Sequence, residues 1–171
     1  MATARVLHFG PDDCDRVQEL RDVGYDVCVS HSLNQLQSQL EGPEAIHAVM
    51  VEEGNPRSTR QAATLVRRRT AAPLILFRRT EVPLNLKRFD RVYSHSEPAR
   101  HWLFDTAVLV EQLRMLEAQF AFLTRRTRQL LAETKEVVRQ SRAQTERPAI
   151  ELERDRGPSK PWHDRAEDKS K

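Results

Sequence analysis

Five short apolar runs, alternating with stretches of helical spacing, constrain what this chain can fold into more than any other feature. The runs are Arg5–Phe9, Asp26–Ser30, Ile46–Val51, Pro73–Phe77 and a weaker Arg91–Ser94. Between them, Gly10-Pro11 ends the first run and Asp12 opens a helical stretch carrying Cys14, Val17, Leu20 and Val23, stopped by Gly24. Ser32 opens a second stretch with Leu33, Leu36 and Leu40, ended by Gly42-Pro43, and Ser58 or Thr59 opens a third through Ala62, Leu65 and Val66 to Arg69. Strands that alternate with helices over this length predict an α/β fold, a five-stranded parallel sheet with helices on both faces. Ligands in such sheets sit at the carboxyl ends of the strands, so those ends are where function is sought.

From Asp105 to Gln144 the pattern changes. There is no Gly or Pro, and Leu109, Leu116, Leu123, Leu130 and Val137 recur every seven residues, with Leu113, Phe120, Thr127, Thr134 and Ser141 on the alternate seam. The spacing predicts one long helix over 105–144, packed on the sheet to about Glu117 and extending beyond it as a possible coiled coil. From Glu146 to Lys171, 14 of 26 residues are charged and three are Pro, too little apolar surface to offset ordering entropy, so 145–171 reads as a disordered charged tail. The expected division is thus a core over 1–104, the helix, and the tail.

Charge is distributed unevenly. Residues 1–54 carry 10 acids and 3 bases, residues 55–91 carry 10 bases and 2 acids, and the whole chain is +3. The basic block includes Arg60, Arg67, Arg68 and Arg69. It reads chiefly as a solvated face, with a nucleic-acid partner as the minor alternative, since stacking aromatics are scarce there and no nucleic-acid motif is present. Cys14 and Cys28 share no metal-ligand spacing, the six histidines form no helical metal pair, and neither a phosphate loop nor a nucleophile elbow occurs. No cofactor, metal or small-molecule substrate is therefore expected. No run approaches a membrane span, and the N-terminus has no secretory layout, which gives a cytoplasmic expectation.

The runs VLHFG, GYDVCVS, AVMVEE and APLILF, with Gly24-Tyr25 between first helix and second strand, resemble the receiver domain of two-component response regulators over about residues 3–117. The resemblance implies a flavodoxin-like, doubly wound sheet and a phosphoryl-accepting Asp at the end of strand three. It also implies an acidic pair for Mg²⁺ after strand one, a hydroxyl after strand four and a Lys after strand five. Here the acceptor position falls on Glu52, followed by Glu53; the acidic pair falls on Gly10-Pro11, with Asp12 and Asp13 just beyond as a remnant. Arg78 stands at the hydroxyl position, and the segment from Tyr93 to Pro98 lacks the Lys. Arg78 and Tyr93 are thus the switch-position equivalents. A Glu carries its oxygens roughly 1.5 Å farther out than an Asp, an error that costs catalysis dearly.

These departures point to a pseudo-receiver, a non-enzymatic interaction module in phosphorelay signal transduction. A Glu52–Arg78 pair is the expected lock. Glu52 itself reads either as a solvated vestige, the favoured reading, or as a built-in mimic of the phosphorylated state. An atypical regulator still phosphorylated at Glu52 is the alternative. Between Arg78 and Tyr93, Pro83 allows at most a short turn where a receiver has its fourth helix. The apolar stripe past Glu117 (Phe120, Leu123, Leu130, Val137) implies a partner, a second copy or another protein, bound through 105–144.

Overall fold

The computed structural model describes residues 3–80 and 84–155, the last stretch (145–155) as backbone only. Two units emerge, 1–120 and 121–171. In the first, β1 (Arg5–Phe9), α1 (Arg16–Asp22), β2 (Asp26–Ser30), α2 (Leu33–Leu40), β3 (Ala48–Glu52), α3 (Pro56–Arg69), β4 (Leu74–Arg78) and β5 (Arg91–Ser94) follow in order, and the long helix α4 (Ala99–Asp155) begins. All strand pairs are parallel and the sheet runs β2-β1-β3-β4-β5, the doubly wound arrangement expected.

Because strand side chains alternate between faces, the sheet builds two cores. Val6, Met50, Ile75 and Phe77 pack under α1 and α4, joined by Val17, Leu20, Trp102 and Val110. Leu7, Val49, Val51, Leu74 and Leu76 pack under α2 and α3 with Leu36, Ala62, Ala63 and Val66. Near-continuous apolar strands are what a sheet covered on both faces requires.

Local chemistry sets the element ends. The Ser32 hydroxyl accepts from Gln35 N, and Asn55 caps α3 with Pro56 in the first turn, two residues before the Ser58 expected from the pattern. Between β4 and β5 the residues described form only a 3-10 turn, Leu86–Arg88. Val92, on the face where another helix would lie, is left exposed. The long helix starts at Ala99 rather than 105, because Trp102 and Thr106 are buried against the sheet; the heptad pattern passes over both. Its role in the core ends a turn early: Leu109 and Leu113 are partly buried, but Leu116 is 62% exposed.

In the second unit the backbone is helical to Asp155, so 145–155 is not the disordered segment expected; its Glu, Ala, Leu and Arg residues are good helix formers despite Pro148. Residues 156–171 of the expected tail lie outside the described residues. Over 121–144 nearly every side chain is exposed, Leu123, Leu130, Leu131, Val137 and Val138 among them. Hydrogen bonds along its surface include Gln129 to Glu133 and Arg139 with Gln140 to Glu136. The latter two hold the Glu136 carboxyl below the usual carboxylate range.

Candidate functional site

Even-numbered residues of β1 and β3 point toward α1, which places His8 and Glu52 on the same face as Phe77 of β4. They meet at the carboxyl ends of β1 and β3, where the strand order reverses. Gly10 makes this approach possible. Its φ is +113°, and a Cβ there would stand 2.9 Å from the Glu52 Cβ.

Glu52 is buried and bound. Arg16, 1% exposed on the inner face of α1, donates from one terminal nitrogen to Oε1 of Glu52 and from the other to the carbonyl of His95. The guanidinium carbon lies 3.9 Å from the Phe77 ring centroid, a cation over an aromatic face in a dry site. On the other carboxylate oxygen, His95 Nδ1 stands 3.2 Å from Oε2. The His95 Nε2 in turn is 3.3 Å from the Cys14 sulfur. His8, fully buried, brings its Nε2 to 3.8 Å of Glu52 Oε1.

The expected lock is therefore corrected in its partner. The cation on Glu52 is Arg16, not Arg78, because Arg78 follows Phe77 on β4 and lies on the opposite face of the sheet. The solvated vestige is corrected too: Glu52 is 1% exposed. Glu53, also buried, faces the other way, and its Oε2 accepts from the backbone N–H groups of Arg79 and Thr80 at 2.7 and 2.8 Å.

The acidic remnant does other work. Asp12 accepts from Arg16 N and Val17 N at 2.8 and 3.0 Å, capping α1 from outside the helix, and Asp13 pairs with Arg79. No group of three or more His, Cys, Asp or Glu among the described residues is arranged to hold a metal ion. Tyr93 stacks on Phe77 with centroids 5.7 Å apart and donates its hydroxyl to Asp105 of α4 at 2.5 Å. Burial first, then that hydrogen bond, raises the Tyr93 pKa well above the usual 10.

The basic block is partly neutralised within the fold. Arg67 pairs with Asp90 and Arg69 with Glu41, and these two, like Arg60 and Arg68, lie on the exposed surface. A cleft of about 570 Å³ opens beside Thr59, Arg60, Ala63, Leu84, Arg88 and Phe89. It lies on the α3 face, across the sheet from Glu52, beside the 3-10 turn Leu86–Arg88.

Neither Arg16 nor His95 was singled out in the sequence analysis. The signal for Arg16 was its place one residue before Val17 and four before Leu20, on the buried stripe of α1. His95 had no local signal, since its partners stand 43 and 81 residues away.

No protein-family model matches the chain, and no curated protein matches it. Solved structures do. The N-terminal domain of a response regulator/sensory box/GGDEF three-domain protein from Carboxydothermus hydrogenoformans is similar at a TM-score of 0.51 and 15% identity, covering 67% of this chain and 98% of that one. An adenylate cyclase from Rhodopirellula baltica gives 0.60 and 10%, covering 72% and 98%. A fusion carrying a yeast Spc42 trimeric coiled coil gives 0.55 and 14%, covering 81% and 98%. Identities this low speak to the fold alone, and the fold is receiver-like: five parallel strands with helices, followed by a long helix. No helix among the described residues is long and apolar enough to cross a membrane.

Proposed function

We propose that this protein is a non-catalytic, receiver-like regulatory module of two-component-type signal transduction, which acts by binding a second copy of itself through α4. The observation that carries the reading is the Arg16–Glu52 pair. A fixed cation, held by the carboxylate and by the His95 carbonyl, occupies the place where an acceptor carboxylate would need a metal ion and an incoming phosphoryl group. The domain is thereby held in one state without phosphorylation, as a pseudo-receiver.

Leu116, Phe120, Leu123, Leu130 and Val137 support the interaction half of the reading, since all are exposed at seven- and four-three spacing. A helix gains most of its stability from packing an apolar face, so this stripe calls for cover. Thr127 and Thr134 in the seam make the association modest. Light scattering on the full chain tests it: the wild type runs as a dimer whose mass falls to the monomer in Leu123→Glu/Leu130→Glu. A wild type that stays monomeric at about 100 μM, a concentration at which even a modest interface with Kd near 10 μM is occupied, overturns the self-association.

A second reading, Glu52 as a standing mimic of the phosphorylated state, is favoured by the same cation, which gathers around a negative charge at the acceptor position. Under that reading Glu52→Gln changes the oligomeric state, and under the first it changes stability alone.

A further inference from the structure

Cys14, His95 and Glu52 form a chain of contacts that neither the receiver resemblance nor the interaction role uses. The Cys14 sulfur is 3.3 Å from His95 Nε2, and His95 Nδ1 is 3.2 Å from Glu52 Oε2. A carboxylate held by Arg16 accepts hydrogen bonds only, so Nδ1 carries the proton of the neutral ring and Nε2 is the bare nitrogen facing the thiol. This is a nucleophile, a base and a group that orients the base, in the sequence that activates a thiol. The guanidinium of Arg16 reaches the same His95 carbonyl that lies 3.7 Å from the Cys14 sulfur, which brings a fixed positive charge to the neighbourhood of a thiolate. Cys14 and His95 are both partly exposed, whereas Glu52 and Arg16 are buried beneath them.

A second observation points into the same place. His8 is fully buried, neither of its ring nitrogens has a hydrogen-bond partner among the described residues, and its Nε2 faces Glu52 Oε1 at 3.8 Å. It is a buried, unpartnered hydrogen-bonding group beside the carboxylate that orients His95.

We propose that Cys14 is a peroxide-reactive thiol and that its oxidation to the sulfenic acid is an input to this domain. His95 Nε2 takes the thiol proton, and the thiolate attacks one oxygen of hydrogen peroxide. The S–O bond forms as the O–O bond breaks, and the departing hydroxide takes the proton from His95 and leaves as water. Sulfur loses two electrons and peroxide gains them, and the product is Cys14–SOH, reversible by thiols. The sulfur that gains the oxygen contacts His95, one residue from Ser94 of β5, and Tyr93 on that strand is tied to Asp105 of α4. Oxidation at Cys14 therefore bears on the start of the helix assigned the interaction role. The thiol's reactivity does not depend on that role.

Cys28, half-buried on β2, has no hydrogen-bond partner among the described residues and serves as the internal reference. The full reduced chain is exposed to hydrogen peroxide with dimedone as the sulfenic trap, and peptide masses follow both cysteines. Cys14 is expected to be trapped about 100-fold faster than Cys28, the lower end of what a positioned base supplies. The His95→Asn variant, its fold checked by circular dichroism, is expected to bring Cys14 down to the rate of Cys28. Equal trapping of the two cysteines in the wild type overturns the proposal whether or not the variant folds. An unchanged Cys14 rate in folded His95→Asn overturns the assigned base.

Discussion

Replacing Arg16 with Met removes the cation from a site that has no solvent to take its place. Glu52 is 1% exposed and Arg16 is 1% exposed, so the carboxylate left behind is a buried charge short of its main partner. Removing one member of such a pair costs about 3–5 kcal/mol, most of it the penalty on the group that remains. The cation over Phe77 contributes about 2 kcal/mol of that when desolvated, and the bond to the His95 carbonyl about 1.5–3 kcal/mol as a charged hydrogen bond. These terms overlap and do not add, and Met restores part of the packing, so the lower end, about 3 kcal/mol, is the expected loss. With a urea m-value of about 1–3 kcal/mol/M, the unfolding midpoint falls by about 1–3 M.

Protein concentration is held fixed in that titration, because association raises the apparent stability of any self-associating chain. The double variant Arg16→Met/Glu52→Gln carries the sharper test. Removing both charges recovers much of the loss, since replacing a buried pair by neutral groups is often close to neutral. A midpoint in Arg16→Met within about 0.5 kcal/mol of wild type, the range of an ordinary surface substitution, refutes the buried pair. So does a double variant less stable than the single one.

Gly10→Ala is expected to cost about 1–3 kcal/mol for the left-handed φ, and more where the new Cβ meets Glu52, read as a lowered unfolding midpoint. Tyr93, whose folded pKa is raised above the unfolded value of about 10, contributes stability that is complete below that pH and lost as pH rises through the folded value. Absorbance at 295 nm therefore shows delayed tyrosine ionisation in the folded chain, and Asp105→Asn, which removes a neighbouring charge and an acceptor, brings Tyr93 back toward 10.

The alternation of RVLHF, DVCVS, IHAVMV, PLILF and RVYS made the sheet legible, because period and length in a strand buried on both faces leave little else for such runs to form. The shortened link before β5 was legible for a similar reason, with Pro83 allowing at most a short turn. The site was legible only at its centre. Glu52 follows from the end of an apolar run, but its partner depends on which face of the sheet each residue takes. Arg78 sits at the expected position along β4 and on the wrong face for Glu52. Arg16 shares the buried stripe of α1 with Leu20, but a charged residue there gains a partner only from the sheet beneath. Cys14 and His95 meet because the loops after β1 and β5 converge at the strand ends, a contact across 81 residues that no local pattern encodes.

In the proposed reading the Glu52 carboxylate is engaged from within by Arg16 and takes no phosphoryl group. The most direct measurement is incubation of the full chain with acetyl phosphate and Mg²⁺, followed at once by intact mass. An unshifted mass is the expected result. A labile phosphoryl adduct that disappears in Glu52→Gln would contradict it.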